Sequence, residues 1–107
     1  MQNLILFVQE TMQTEAFRNG LVLSFTEIVG DYGAKIGNMP LTLVSYNLLA
    51  LELMGFLRKG SLTLVNGNWD AISNILTFSL GYLMGERFSR QQYLGLALIS
   101  TGLFLIQ

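Results

Sequence analysis

The sequence predicts an all-α fold, a four-transmembrane-helix bundle over residues 21–107 preceded by a short amphipathic helix over residues 1–20. Three observations carry that expectation. The chain is 51% hydrophobic and only 12% charged, against about a quarter charged in an ordinary globular domain. Its apolar residues gather into four segments close to the ~20 residues that a membrane-crossing helix needs. Short turns rich in Gly, Pro and charge separate those segments.

The first twenty residues differ in kind from the rest. Leu4, Val8, Met12 and Ala16 recur every four residues with Gln9, Glu10, Gln13 and Glu15 between them, the pattern of an amphipathic helix. Asn19-Gly20 is expected to end it. The segment is too short in apolar length to span, and it has neither the positive start nor the small-residue cleavage site of a removable signal peptide. Either it lies on the membrane surface, or it docks onto a partner protein in a larger membrane complex.

The first span, Leu21 to Gly37, carries charges that are costly in lipid. Each costs on the order of 2.5 to 3.5 kcal/mol at a helix centre unless paired or hydrated. Glu27 and Asp31 sit one turn apart and share a face. Gly30, Gly33 and Gly37 beside them thin the helix for a neighbouring backbone or a ligand. Lys35 stands near the end of the span, where its side chain can reach outward to water.

Gly37-Asn38-Met39-Pro40 closes that helix and starts the next, Pro40 to Leu57, with Pro where a missing N–H costs nothing. Glu52, late in this span, is expected near the headgroups, paired with Arg58 or Lys59. Arg58-Lys59-Gly60-Ser61 then turns the chain into the third span, Leu62 to Met84. Its opening, Asn66-Gly67-Asn68-Trp69-Asp70, is polar enough that it should face the bundle interior. Trp69 offers either a stacking surface for a cation or an interfacial anchor. Asp70 is either a second carboxylate of a site or a first-turn residue favoured by the helix dipole. Ser73, Asn74, Thr77 and Ser79 read as interhelical hydrogen-bonding groups. After Gly85-Glu86-Arg87-Phe88, Ser89 and Gln92 form a capping box that opens the fourth span, Ser89 to Ile106. There Gly95 and Gly102 lie two turns apart on one face.

The absences are informative as well. With no Cys and no His, the usual zinc, haem and thiol ligands are missing and no His-based catalytic triad is possible. No metal site, cofactor or enzymatic activity is expected. A net charge of -1 gives no basic face for a phosphate backbone, so nucleic acid is not expected as a partner. Lys and Arg divide three against three, with Arg18, Arg58 and Lys59 on one side of the spans and Lys35, Arg87 and Arg90 on the other. Such a tie leaves membrane orientation undecided.

Two stretches resemble a known family. Glu27-Ile28-Val29-Gly30 followed by Lys35 is similar to the first-helix motif of the small multidrug resistance transporters, and Gly85-Glu86-Arg87-Phe88-Ser89 through Gly95 to Gly102 resembles their final turn and fourth helix, as well as those of the wider drug/metabolite transporter superfamily. The resemblance covers the chain from Leu21 onward. It implies a multi-pass integral membrane protein working as a homodimer, parallel or antiparallel, with Gly95 and Gly102 at the dimer contact. It also implies proton-coupled exchange of a cationic small molecule through Glu27, with Tyr46 as a candidate binding-site tyrosine. The expected substrate and proton site is thus Glu27, Asp31, Tyr46, Trp69 and Asp70. Two further readings keep the same fold: a non-transporting structural or assembly subunit of a larger complex, and a lipid-linked sugar translocation subunit.

Overall fold

The computed structural model describes residues 2–105, and the side chains of all of these except 2 and 7–13. Its elements are α1 (Gln2–Lys35), α2 (Met39–Lys59), α3 (Leu62–Leu83) and α4 (Arg90–Leu105). The all-α class and the turns therefore fall where the sequence places them. The first boundary does not. The helix expected to end at Asn19-Gly20 runs on without a break for 34 residues, about 51 Å. Gly20 is not in a left-handed conformation; it is buried in the seam with α3, where a Cβ would stand 2.9 Å from the Asn68 Cβ and 3.1 Å from the α3 backbone. It is a glycine of close approach, not of termination. Ala16, one turn earlier, is buried, whereas Val8 and Met12 of the same periodic stripe lie outside the described side chains.

The helix ends that do form are well specified. At the end of α1, Gly37 has φ 77°, with Asn38 N–H donating to Gly33 O at 2.8 Å and Gly37 N–H to Ala34 O at 3.2 Å. The end of α3 repeats this closure: Gly85 has φ 97°, Glu86 N–H donates to Gly81 O at 2.9 Å and Gly85 N–H to Tyr82 O at 3.1 Å. Both are Schellman closures, which need a residue free to adopt positive φ. Asn38 caps α2 by accepting from Leu41 N–H, and Ser61 caps α3 by accepting from Leu64 N–H. The expected capping box of α4 is present in full. Ser89 N–H donates to Gln92 Oε1 at 2.8 Å, and Gln92 N–H to Ser89 Oγ at 3.3 Å.

The helices pack as an open layer, not as a closed bundle. α1 lies between α2 and α3, α4 reaches only α3, and α2 and α3 barely touch. The Cα envelope measures 53 × 35 × 16 Å, between one and two helices thick. Gly30 and Gly33 let α2 onto α1: a Cβ at Gly30 would meet the Tyr46 ring at 2.6 Å, and one at Gly33 would meet Thr42 Oγ1 at 2.9 Å. What is buried is small, with Ala16, Leu23 and Val65 at its centre and Leu49, Leu53, Phe56 and Trp69 packed around them. No described residue of α4 is buried. The surface of 7501 Å² is roughly a quarter above the ~6,000 Å² typical of a folded monomer of this mass.

One helix among the described residues, Met39–Lys59, is long and apolar enough to cross a membrane. In α3 the hydropathy is diluted by Asn66, Asn68, Asp70 and Asn74, and α4 has only 16 residues.

Candidate functional site

The expected site residues start on α1. Glu27 is half-buried on the side of α1 that meets α3, and Ser73 Oγ donates to its Oε1. Ser24, one turn earlier on the same side, donates to Trp69 O at 3.2 Å. Asp31, one turn after Glu27, turns toward α2 instead, where Tyr46 Oη donates to its Oδ1 at 2.5 Å. A third carboxylate joins them. Glu52 of α2 accepts from Thr26 Oγ1 at 2.9 and 3.0 Å through its two oxygens. The expected pairing of Glu52 with Arg58 or Lys59 is therefore replaced by a contact across the α1–α2 seam.

The three carboxylates have a common feature: each is held by a hydroxyl from a neighbouring helix, and among the described residues none is paired with Lys or Arg. A hydroxyl donates to a carboxylate and, by rotating, accepts from a carboxylic acid. Such a pair is satisfied in either protonation state. A Lys or Arg partner, having no acceptor, would hold the carboxylate charged.

The expected constellation of Glu27, Asp31, Tyr46, Trp69 and Asp70 does not converge at one point. Glu27 serves the α1–α3 seam, and Asp31 with Tyr46 serves the α1–α2 seam. Trp69 is neither an exposed stacking platform nor an anchor at a helix end. It packs against the Ala16–Leu23–Val65 cluster, and its Nε1 is buried without a hydrogen-bond partner. Asp70 is exposed beside the groove between α3 and α4, with Asn74 and Gly102. Successive residues of a helix point about 100° apart, so neighbours in Asn66-Gly67-Asn68-Trp69-Asp70 cannot all face inward. Asn68 is the most deeply buried of them, at 1% exposure, with its Nδ2 donating to Leu64 O, and Trp69 packs beside it.

The polar groups of α3 and α4 are also satisfied differently from the interhelical expectation. Asn74 Nδ2 donates to Asp70 O and Ser79 Oγ to Ile75 O, while Ser100 and Thr101 bond to Leu96 O and Ala97 O. Of the four groups expected to bond across helices, Ser73 does so. Bonding back to one's own helix satisfies a polar side chain without a partner helix.

Gly95 and Gly102 are open: a Cβ at either would meet nothing within 4 Å. Lys35 is exposed in the last turn of α1.

The Thr26–Glu52 pair and the role of Ser73 are not apparent from local pattern. The available signal is the register of the α1–α2 hairpin: counted outward from the centre of the turn, between Asn38 and Met39, Thr26 and Glu52 fall at nearly matching depths. Comparison with known proteins finds no matching family, no similar curated protein and no similar solved structure.

Proposed function

We propose that this chain is a small multi-pass membrane transporter of the small multidrug resistance type, in which Glu27 exchanges protons for a cationic compound within a homodimer. The observation that carries the reading is the environment of Glu27, a half-buried carboxylate held by the Ser73 hydroxyl and, among the described residues, by no cation. A carboxylate in an apolar layer marks an ion or substrate path, and a hydroxyl partner accommodates both the proton-loaded and the cation-loaded state. Two features support the membrane setting. The surface is about a quarter larger than that of a typical folded monomer of this mass, and large apolar side chains such as Leu51 (68%), Leu98 (64%) and Phe104 (81%) stand exposed on it. The polar side chains of α3 and α4 are satisfied largely by their own backbone, which lowers the cost of placing those helices in lipid. α4, about 24 Å long, fits a hydrocarbon core of about 30 Å with local thinning. The space at Gly95 and at Gly102, which borders the groove between α3 and α4, leaves room for a helix of a second copy.

The test is uptake of the fluorescent cation ethidium into proteoliposomes under an imposed pH gradient. Wild-type protein should drive uptake and Glu27→Gln should reduce it to the protein-free background. Uptake by Glu27→Gln at the wild-type rate overturns the reading.

One observation favours a second reading, that of an assembly subunit. α1 runs for 34 residues against 21 in α2 and 22 in α3, so it is longer than either by about 18 Å of helix. Under this reading, deleting residues 2–14 releases the chain from a larger complex on native gels; under the first, the deletion leaves ethidium uptake intact.

A further inference from the structure

The first half of α1, the C-terminal half of α2 and the α2–α3 turn enclose a cleft of about 530 Å³, a size typical of small-molecule sites. It is separate from the Glu27 seam and the Asp31–Tyr46 pair. Its polar lining carries both signs of charge: Glu15 and Arg18 from α1, Glu52 and Lys59 from α2. Leu51, Phe56 and Val65 supply an apolar wall.

The register of the hairpin orders these groups. Gly33 meets Thr42, Asp31 meets Tyr46 and Thr26 meets Glu52. Continued outward, the same antiparallel register brings Arg18 level with Lys59, at the end of α2. Glu15 lies one turn farther along α1, about 4.5 Å away along the axis. Ser61, the N-cap of α3, lines the same mouth, so the positive end of that helix adds to the two cations. The cleft therefore presents a seat for an anion, with a carboxylate one turn beyond it to receive a cation.

Gly55 forms part of the wall, and a Cβ there would meet nothing within 4 Å. A glycine inside a helix costs about 1 kcal/mol relative to alanine, and no contact among the described residues requires this one. Its effect is to keep open the path between the charged mouth and the apolar wall.

We propose that this cleft binds the headgroup of one aminophospholipid. The phosphate sits between Arg18 and Lys59 at the start of α3, the ammonium rests on Glu15, and an acyl chain passes over Gly55 along Leu51 and Phe56. The lipid source rests on the reading of α2 as a membrane span, which sets Lys59 at headgroup depth. The phosphate-plus-ammonium chemistry rests on the cleft alone.

The experiment uses the full chain purified in a non-ionic detergent and offered dioleoyl phosphatidylethanolamine, phosphatidylglycerol or phosphatidylcholine, with bound lipid counted by native mass spectrometry. One phosphatidylethanolamine should be retained in preference to the other two. Arg18→Gln with Lys59→Gln should weaken retention about tenfold or more, and Gly55→Leu should do the same by filling the cleft. Glu15→Gln, a conservative change at an exposed position, should leave the fold unaltered by circular dichroism and erase the preference over phosphatidylglycerol. Equal retention of the three lipids by wild-type protein, or retention indifferent to both Gly55→Leu and the double charge variant, overturns the proposal. Displacement of the lipid by millimolar phosphoethanolamine or inorganic phosphate assigns the site to a soluble ligand and overturns the lipid source. Flotation with liposomes tests the membrane reading separately. A chain that floats without headgroup preference loses only the cleft proposal, and one that stays in solution yet binds phosphoethanolamine loses only the membrane reading.

Discussion

At the scale of single residues, the hydroxyl partners of Glu27, Asp31 and Glu52 distinguish this chain from a protein stabilised by buried ion pairs. Removing one member of a buried ion pair strands a charge and costs about 3–5 kcal/mol. Glu27→Gln strands none, because the amide still accepts from Ser73. We therefore expect this variant to keep the helicity and melting midpoint of the wild type while losing ethidium uptake. A lowered midpoint would assign Glu27 a structural role. The glycines give a second residue-level prediction. A Val at Gly20 would collide with Asn68 and the α3 backbone, whereas a Val at Gly95 enters open space within the chain. Thermal melts in dilute detergent should show Gly20→Val destabilised by about 1–3 kcal/mol and Gly95→Val unchanged or slightly improved. Sequence pattern identified Glu27 and Asp31 as functional candidates on cost alone. It could not separate the two kinds of glycine, because a helix-ending glycine and a close-approach glycine are the same letter, and only the neighbour decides between them.

At the scale of elements, most boundaries were legible because they are specified locally. Asn38 and Pro40, Ser61, the Ser89 and Gln92 pair, Gly37 and Gly85 act within a few residues of themselves, and each acts where the sequence placed it. The exception, the join at Asn19-Gly20, is overridden by packing of Gly20 against α3. The capping box of α4 gives an element-level prediction. Ser89→Ala removes one cap bond, which is worth about 1 kcal/mol. Because α4 contributes no described residue to the buried core, the loss should appear as faster amide exchange over residues 90–94. The melting midpoint of the α1–α3 unit should not move. A drop in the global midpoint would show that α4 is cooperative with the rest.

At the scale of the whole molecule, the open layer leaves large apolar side chains exposed on every helix, and the proposed coverings are lipid and a second copy. Valine at both Gly95 and Gly102 should weaken crosslinked dimers in detergent and in bilayers while helicity stays constant; unchanged crosslinking would place the contact elsewhere. Orientation is tested separately. The alternation of α1 to α4 places Arg18, Arg58 and Lys59 toward one end and Lys35, Arg87 and Arg90 toward the other. With the count tied, single cysteines at Asn3 and Ser89 should each be labelled in part of the population from outside intact cells. All-or-none labelling would favour a fixed orientation and a parallel dimer or a fixed subunit.

The sequence by itself determined the all-α class, the turns, the caps and the identity of the expensive carboxylates, since these depend on composition and on interactions spanning four residues or fewer. Tertiary structure alone decided that Gly20 lies within a continuous helix, that Glu52 joins Thr26, and that Ser73 holds Glu27. It also decided that Trp69 is core while Asp70 faces α4. Each of those outcomes depends on the rotation and register of one helix against another. That geometry is set by which small residues allow close approach, and helical periodicity within a single segment carries no information about it.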